Sequence, residues 1–264
     1  MTSLDPAIIA PAPAVMRAVA LTRAGPRAWG ALVAGACLLV ALVATWPLAT
    51  TLTTATVLAS EHEATTQVFT LWTFWWTADR LAHGLAGYWD APFFYPNPGV
   101  FTYSEPEPLT GLLLSPLWAV AAPPALIHNV ALLGMLALNG IFATRLLRTV
   151  GLPRGAALLG GLLAVGLPFV ARLYGVINLI ALFGMFWTLD GLLAFGRSGG
   201  RRQAAWAAAG FVATYLTCQQ YALMFALFAA AAGIMALAEQ HWRGVAILRL
   251  TLAGLAAGII VALV

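Results

Sequence analysis

Residues 60–107 read SEHEATTQVFTLWTFWWTADRLAHGLAGYWDAPFFYPNPGVFTYSEPE, and they separate one apolar segment from several others. Six of the nine carboxylates of the chain lie in this stretch: Glu61, Glu63, Asp79, Asp90, Glu105 and Glu107. The flanking segments contain apolar runs, and runs of about 20 such residues are typical of transmembrane helices. The sequence therefore predicts an all-α, polytopic membrane protein in which one large polar loop joins the first span to the rest.

The composition supports the same class. Of 264 residues, 62% are hydrophobic and 8% are charged, and the mean hydropathy is +0.89. Soluble domains carry roughly 25% charged residues. Every basic residue other than histidine is an arginine, and most arginines lie in short clusters between apolar runs, which is typical of membrane topology rather than of nucleic-acid binding. Cys37 and Cys218 each lie in an apolar run, which favours a packing role over a disulfide.

Seven apolar runs are predicted to cross the membrane. They are Gly30–Leu48, Leu126–Leu147, Ala156–Val170, Ile177–Phe195, Ala204–Thr217, Tyr221–Leu237 and a run from Leu250 to the end at Val264. Arginine clusters mark the cytoplasmic side of membrane proteins. We therefore expect residues 1–28 to be a cytoplasmic tail and residues 51–124 to form an outer loop, with the chain as a single domain of a bacterial inner membrane. Because the last run stops without a flanking charge or aromatic residue, we also expect the native chain to continue past Val264.

The apolar segment 109–121 is shorter than a span and contains Pro116. If it crossed the membrane, the cluster of Arg145, Arg148 and Arg154 would lie outside, against the positive-inside rule. We therefore expect this segment to be interfacial or re-entrant.

A second interfacial helix is predicted within the outer loop. Apolar residues recur there at helical spacing: Ala64, Val68, Leu71, Trp75, Ala78, Ala82 and Leu85. The opposite face carries Glu63, Thr66, Thr70, Thr73, Thr77 and Arg80. Because Trp72 and Trp76 widen the apolar face, this helix suits the membrane interface.

The acids of the outer loop have two interpretations. Glu61 and Glu63 follow the first span, where a carboxylate acts as a general base or holds a divalent cation. Ser60 and Glu63 also fit the capping-box pattern, in which both side chains only cap a helix. Asp90 is equally a turn residue or a second acid, whereas Glu105 and Glu107 are expected to be solvated loop charges.

Two further charged residues are candidates after the outer loop. Arg172 follows the third predicted span on the outer side, and it suits either a phosphate contact or a headgroup anchor. Asp190 lies about two turns from Arg197, which favours snorkelling or an ion pair over a functional role.

Over roughly residues 30–200 the chain resembles the C-type glycosyltransferase (GT-C) superfamily, and among its members the bacterial YfhO-like multispan proteins. The resemblance is carried by a first span ending in TWPL, an early acid in the outer loop, the LWTFWW helix, the FFYPNPG turn and a span ending in RLLR. It implies transfer of a sugar from a polyprenyl-phosphate donor on the outer face, with inversion at the anomeric carbon. Membrane lipids are the other expected partners.

The resemblance also implies residue roles. Glu61 or Glu63 would be the base or a ligand of Mg²⁺ or Mn²⁺, with Asp90 as a weaker candidate, and Arg172 would meet the lipid phosphate. Arg80, Trp72 and Trp76 are the further candidates for substrate binding. Two alternatives stay open, a non-catalytic membrane scaffold of the same fold and a transporter or flippase of lipid-linked glycans.

Overall fold

The computed structural model describes residues 25–58 and 65–263, and this part of the chain contains helices but no strand. The helices are α1 (Pro26–Ala44), α2 (Thr65–Ala82), α3 (Pro108–Ala119), α4 (Pro124–Val150), α5 (Arg154–Val165), α6 (Pro168–Arg172), α7 (Ile177–Ile180), α8 (Phe183–Ser198), α9 (Arg201–Thr217), α10 (Gln219–Glu239) and α11 (Gly244–Leu263). Short 3₁₀ turns occupy Leu48–Thr50 and Val100–Tyr103. The all-α prediction is confirmed.

Prolines and glycines delimit several helices. Pro26, Pro108 and Pro124 occupy the first turns of α1, α3 and α4. Proline lacks a backbone N–H, and at these positions that group would have no partner within the helix. Gly151 and Gly199 end α4 and α8 with φ of 114° and 61°, the left-handed conformation that glycine adopts without a steric penalty.

Six segments of the described residues are long and apolar enough to cross a membrane: Pro26–Ala44, Pro124–Val150, Arg154–Arg172, Ile177–Ser198, Gln219–Glu239 and Gly244–Leu263. Each corresponds to a predicted span. The seventh predicted span lies in α9, which has 17 residues and is therefore about 26 Å long. The 12-residue helix α3 lies where a short interfacial segment was expected.

The direction of α9 follows from contacts between the helices before and after it, α8 and α10, at both of their ends. Near their N-termini, the Tyr221 hydroxyl of α10 donates to the Leu179 carbonyl, 2.8 Å away. At their C-terminal ends, the Gln240 side-chain amide donates to the Gly196 carbonyl. Helices α8 and α10 therefore run parallel, and α9 must return the chain between them along the length of the bundle.

The centre of the bundle is α4, which packs against α1 and α5 on one side and α8 on the other, while α9 and α10 cover α8. Small residues permit these close approaches. A Cβ atom added to Gly191 of α8 would lie 2.5 Å from the backbone nitrogen of Ala207 in α9. A Cβ added to Gly161 of α5 would lie 2.5 Å from the Gly140 carbonyl oxygen in α4.

Two of the predicted spans are interrupted. The predicted run Ala156–Val170 divides into α5 and α6 before Pro168, and the run Ile177–Phe195 divides into α7 and α8 at residues 181–182. Asn139 of α4 bridges the second break, because its Nδ2 donates to the Ile180 carbonyl (2.7 Å) and its Oδ1 accepts from the Leu182 N–H (2.9 Å). The amide thus replaces helical partners that the break removes.

The long loop after α1 forms a cap, defined as α2, α3 and residues 83–107 between them. Thr70, Thr73 and Thr77 of α2 are buried, and a Cβ added to Gly111 of α3 would lie 2.7 Å from Thr77 Cβ. Val68 and Trp75, on the apolar stripe, are 62% and 41% exposed. Helix α2 therefore buries its threonine face in the cap and turns its apolar face outwards, as a helix at a membrane interface does.

Candidate functional site

The two leading sequence candidates, Glu61 and Glu63, lie in residues 59–64, which fall outside the described residues. The chain that precedes them is held firmly. The Asn129 side-chain amide of α4 donates to the carbonyls of Leu52 (2.9 Å) and Ala55 (2.7 Å). Gln67, at the start of α2, is buried and places its amide 3.5 Å from the Val57 carbonyl. Helices α4 and α2 thus anchor the segment that precedes the first-loop acids.

Asp90 closes the aromatic turn of the cap. Its Oδ1 accepts a hydrogen bond from the Gly99 N–H at 2.8 Å, and its own N–H donates to the Gly87 carbonyl at 3.0 Å. These contacts join the two ends of the segment 90–99, which contains FFYPNPG. The turn interpretation of Asp90 therefore has direct structural support.

Trp72 and Trp76 pack within the cap. Their rings stack with centroids 5.5 Å apart, and Trp76, which is buried, donates from Nε1 to the Tyr88 carbonyl at 2.8 Å. The Arg80 guanidinium carbon lies 4.6 Å from the centre of the Trp76 ring, and its Nε donates to Asp79. In this structure these three candidates join α2 to the aromatic turn.

Arg172 ends the five-residue helix α6 and is exposed. It lies between α5 and α8, in the segment that contains the short helices α6 and α7. Its outer placement and its contact with a phosphate stay predictions.

Glu105 and Glu107 were expected to be solvated; this expectation is wrong for Glu107, whereas Glu105 is half-buried. Glu107 is 3% exposed, has a left-handed backbone with φ of 45°, and directly precedes the first residue of α3. The hydroxyl of Thr110, which is also buried, lies beside the Glu107 carboxyl group. Burial raises the pKa of Glu107 well above its usual range, and the charge of Glu105 raises it further.

Glu105 connects the cap to the bundle. Its carboxylate lies by the backbone N–H groups of Gln219 and Gln220, at the N-terminus of α10. Burial raises the pKa of Glu105, and these N–H groups partly offset the shift because they favour the charged form. The pKa of Glu107 is therefore raised further than that of Glu105.

An apolar furrow lies between the cap and the bundle. Its first part, of about 480 Å³, lies between α2, the aromatic turn and α3, and includes Pro108, the residue next to Glu107. Its second part, of about 620 Å³, lies between α3, α4, α8, α9 and α11. Leu109 and Leu216 line both parts, so the two join. Binding sites for small molecules have volumes of roughly 300–1,000 Å³.

The described residues contain no group of three or more histidine, cysteine, aspartate or glutamate side chains that would hold a metal ion. The predicted metal ligands Glu61 and Glu63 lie outside this part of the chain. Cys37 and Cys218 are buried, free thiols, as their apolar surroundings predicted.

Comparisons with protein-family models, with curated proteins and with solved structures found no match to this chain. The function is therefore argued from the residues and their geometry.

Sequence reasoning missed the acid pair because Glu105 and Glu107 lie in a proline-punctuated loop, which predicts exposure. One signal was present. Glu107 directly precedes Pro108 and the apolar segment that follows it, so it occupies the N-cap position of α3. Where such a helix packs against other helices, its N-cap residue is buried with it.

Proposed function

We propose that this protein is a GT-C-like membrane glycosyltransferase, which transfers a sugar from a polyprenyl-phosphate donor at the face of the membrane that carries the cap. The observation that carries the proposal is the apolar furrow lined by Pro108, the residue that follows Glu107, and continued by Leu109 and Leu216. A long apolar groove with an acid pair just before one of its lining residues in the chain suits a substrate with an isoprenoid tail and a polar head.

The chemistry needs a base and a partner for the phosphate. A carboxylate removes the proton from the acceptor hydroxyl while that oxygen attacks the anomeric carbon from the face opposite the phosphate. The bond between the anomeric carbon and the phosphate oxygen breaks, and its electron pair leaves with the polyprenyl phosphate. The products are the inverted glycoside, the polyprenyl phosphate and a protonated carboxyl group.

Glu61 and Glu63 remain the proposed base, and Arg172 the proposed phosphate partner. Glu105 and Glu107 add a second acidic position, directly before Pro108 in the chain. A carboxyl group whose pKa is raised is a stronger base when it is ionised, which suits Glu107 to proton transfer.

The first test is binding of the donor tail. The intact protein in phosphatidylcholine vesicles is titrated with a fluorescent polyprenyl phosphate, and the same is done for Leu109→Trp and Leu216→Trp, which fill the furrow. We expect both variants to weaken binding. The control is Leu223→Trp on α10, because Leu223 is 78% exposed and does not line the furrow. Equal binding by all four proteins contradicts the assignment of the furrow.

The second test is turnover. Vesicles that contain the protein are incubated with a panel of radiolabelled polyprenyl-phosphate hexoses, and sugar release or transfer is measured. We expect Glu63→Gln to abolish it and Glu239→Gln, a change at an exposed residue of α10, to leave it unchanged. Activity that persists when Glu61 and Glu63 are both changed to Gln removes their catalytic role.

A further inference from the structure

A second pocket lies at the end of the bundle away from the cap, and the proposed function makes no use of it. It has a volume of about 390 Å³ and is formed between α1, α4 and α5. Its polar wall consists of Arg145, Arg148, Arg154 and Thr144, and Trp29 faces them from α1. Val33 and Ile141 extend the pocket as an apolar wall towards the middle of the bundle.

Neighbouring groups hold each arginine in place. The Arg145 Nε donates to Asp190 Oδ2 at 2.6 Å, and its guanidinium carbon lies 4.7 Å from the centre of the Trp206 ring. The Arg154 guanidinium carbon lies 5.4 Å from the centre of the Trp29 ring. A guanidinium held in this way loses little conformational entropy when it binds a ligand.

Arg148 supplies positive charge to this pocket. One of its terminal nitrogens donates to the Leu152 carbonyl, which carries no net charge and does not neutralise the guanidinium. A guanidinium has five N–H donors, so both Arg148 and Arg145 retain donors beyond these contacts. Paired N–H groups on a planar fork match two oxygens of one phosphate group.

We infer that this pocket binds the phosphate group of an anionic phospholipid. The arginines meet the phosphate, Trp29 lies at the level of the headgroup, and the wall of Val33 and Ile141 contacts the start of the acyl chains. Tryptophan is enriched at this level of membrane proteins, and basic pockets between transmembrane helices bind anionic headgroups. The apolar wall favours a lipid over a free phosphate ion, which would leave that wall without a partner.

The test uses the intact protein in a neutral detergent with an equimolar mixture of phosphatidylglycerol and phosphatidylcholine that have the same acyl chains. Native mass spectrometry then counts the lipids that the protein retains. We expect a preference for phosphatidylglycerol, and we expect Arg148→Gln to reduce it about fivefold, the effect of one basic residue at a membrane surface. The matched control is Arg201→Gln, which removes the same charge from an exposed position outside the pocket.

The outcomes separate three explanations. Equal losses in Arg148→Gln and Arg201→Gln show a general charge effect and overturn the site, as does equal retention of the two lipids by the unchanged protein. Competition by inorganic phosphate at millimolar concentration shows a free-phosphate site and overturns the lipid assignment. If Arg148→Gln does not fold, Arg148→Lys keeps the charge and removes the fork. A preference unchanged in that variant contradicts bidentate binding, and a reduced one supports it.

Discussion

Arg145 and Asp190 form an ion pair in which the arginine side chain is exposed and the aspartate side chain is buried. The Arg145 side chain is 56% exposed, whereas that of Asp190 is 2% exposed, and Nε lies 2.6 Å from Oδ2. Thr149 and Trp206 donate to the same carboxylate, the latter from Nε1 at 2.9 Å. Asp190 therefore joins α4, α8 and α9 through one buried charge.

Replacing Asp190 with Ala should destabilise the protein by about 3 kcal/mol, because three donors lose a shared acceptor and Arg145 loses its partner. A thermal melt in detergent measures the change. Glu239→Ala removes a carboxylate of α10 that is exposed, and it should leave the melting temperature nearly unchanged. Similar melts for the two variants would show that the Asp190 network contributes no stability.

Replacing Gly191 with Ala should separate α8 from α9. The added Cβ would meet the Ala207 backbone nitrogen at 2.5 Å, and backbone cannot move aside as a flexible side chain can. We expect a loss of about 1–3 kcal/mol from overpacking. The matched change is Gly254→Ala in α11, where nothing lies within 4 Å of the new Cβ, and this variant should be neutral or slightly more stable because Ala favours helix. Equal stability of the two variants would contradict the close packing of α8 and α9.

The buried Glu107 should make stability depend on pH. Its pKa is raised in the folded protein, so the folded state holds the proton more tightly than the unfolded state. The contribution of Glu107 to the free energy of unfolding is therefore greatest below the ordinary glutamate pKa of about 4.3 and falls as the pH rises above it. Glu107→Gln mimics the neutral form and should flatten this part of the pH dependence.

Melting temperatures between pH 4 and pH 8 give the measurement, with Glu239→Gln as the control for an exposed glutamate. The difference between the unchanged protein and Glu107→Gln should grow towards higher pH, with the variant the more stable at pH 8. Parallel curves for these two proteins would show that Glu107 titrates alike in the folded and unfolded states.

Much of the fold was predictable because hydrophobic length and arginine position are properties of the sequence alone. The first span was placed at Gly30–Leu48 and α1 is Pro26–Ala44, a shift explained by the proline in its first turn. The short helix α3 was expected because the arginine cluster after α4 argued against another crossing. The all-helical architecture and the long loop with its two helices followed from the same patterns.

The side-chain partners were not predictable, because they depend on which helices meet. Asp190 was expected to snorkel or to form an ion pair near Arg197, and it forms its ion pair with Arg145 of α4. The same cause explains Glu107, whose burial depends on the cap meeting α9 and α10. The break at residues 181–182 depends on Asn139, which lies about 40 residues earlier in the chain.

The outward apolar stripe of α2 has a consequence for how the cap can be handled. A loop between two spans is usually imagined as an aqueous domain that can be expressed alone. Here Val68 and Trp75 are exposed while the threonines of α2 are buried inside the cap. In water, the apolar face of the helix would therefore be the solvated one. We expect the fragment 65–119, excised from the chain, to partition into detergent micelles rather than remain in buffer, because the exposed face of its first helix is apolar.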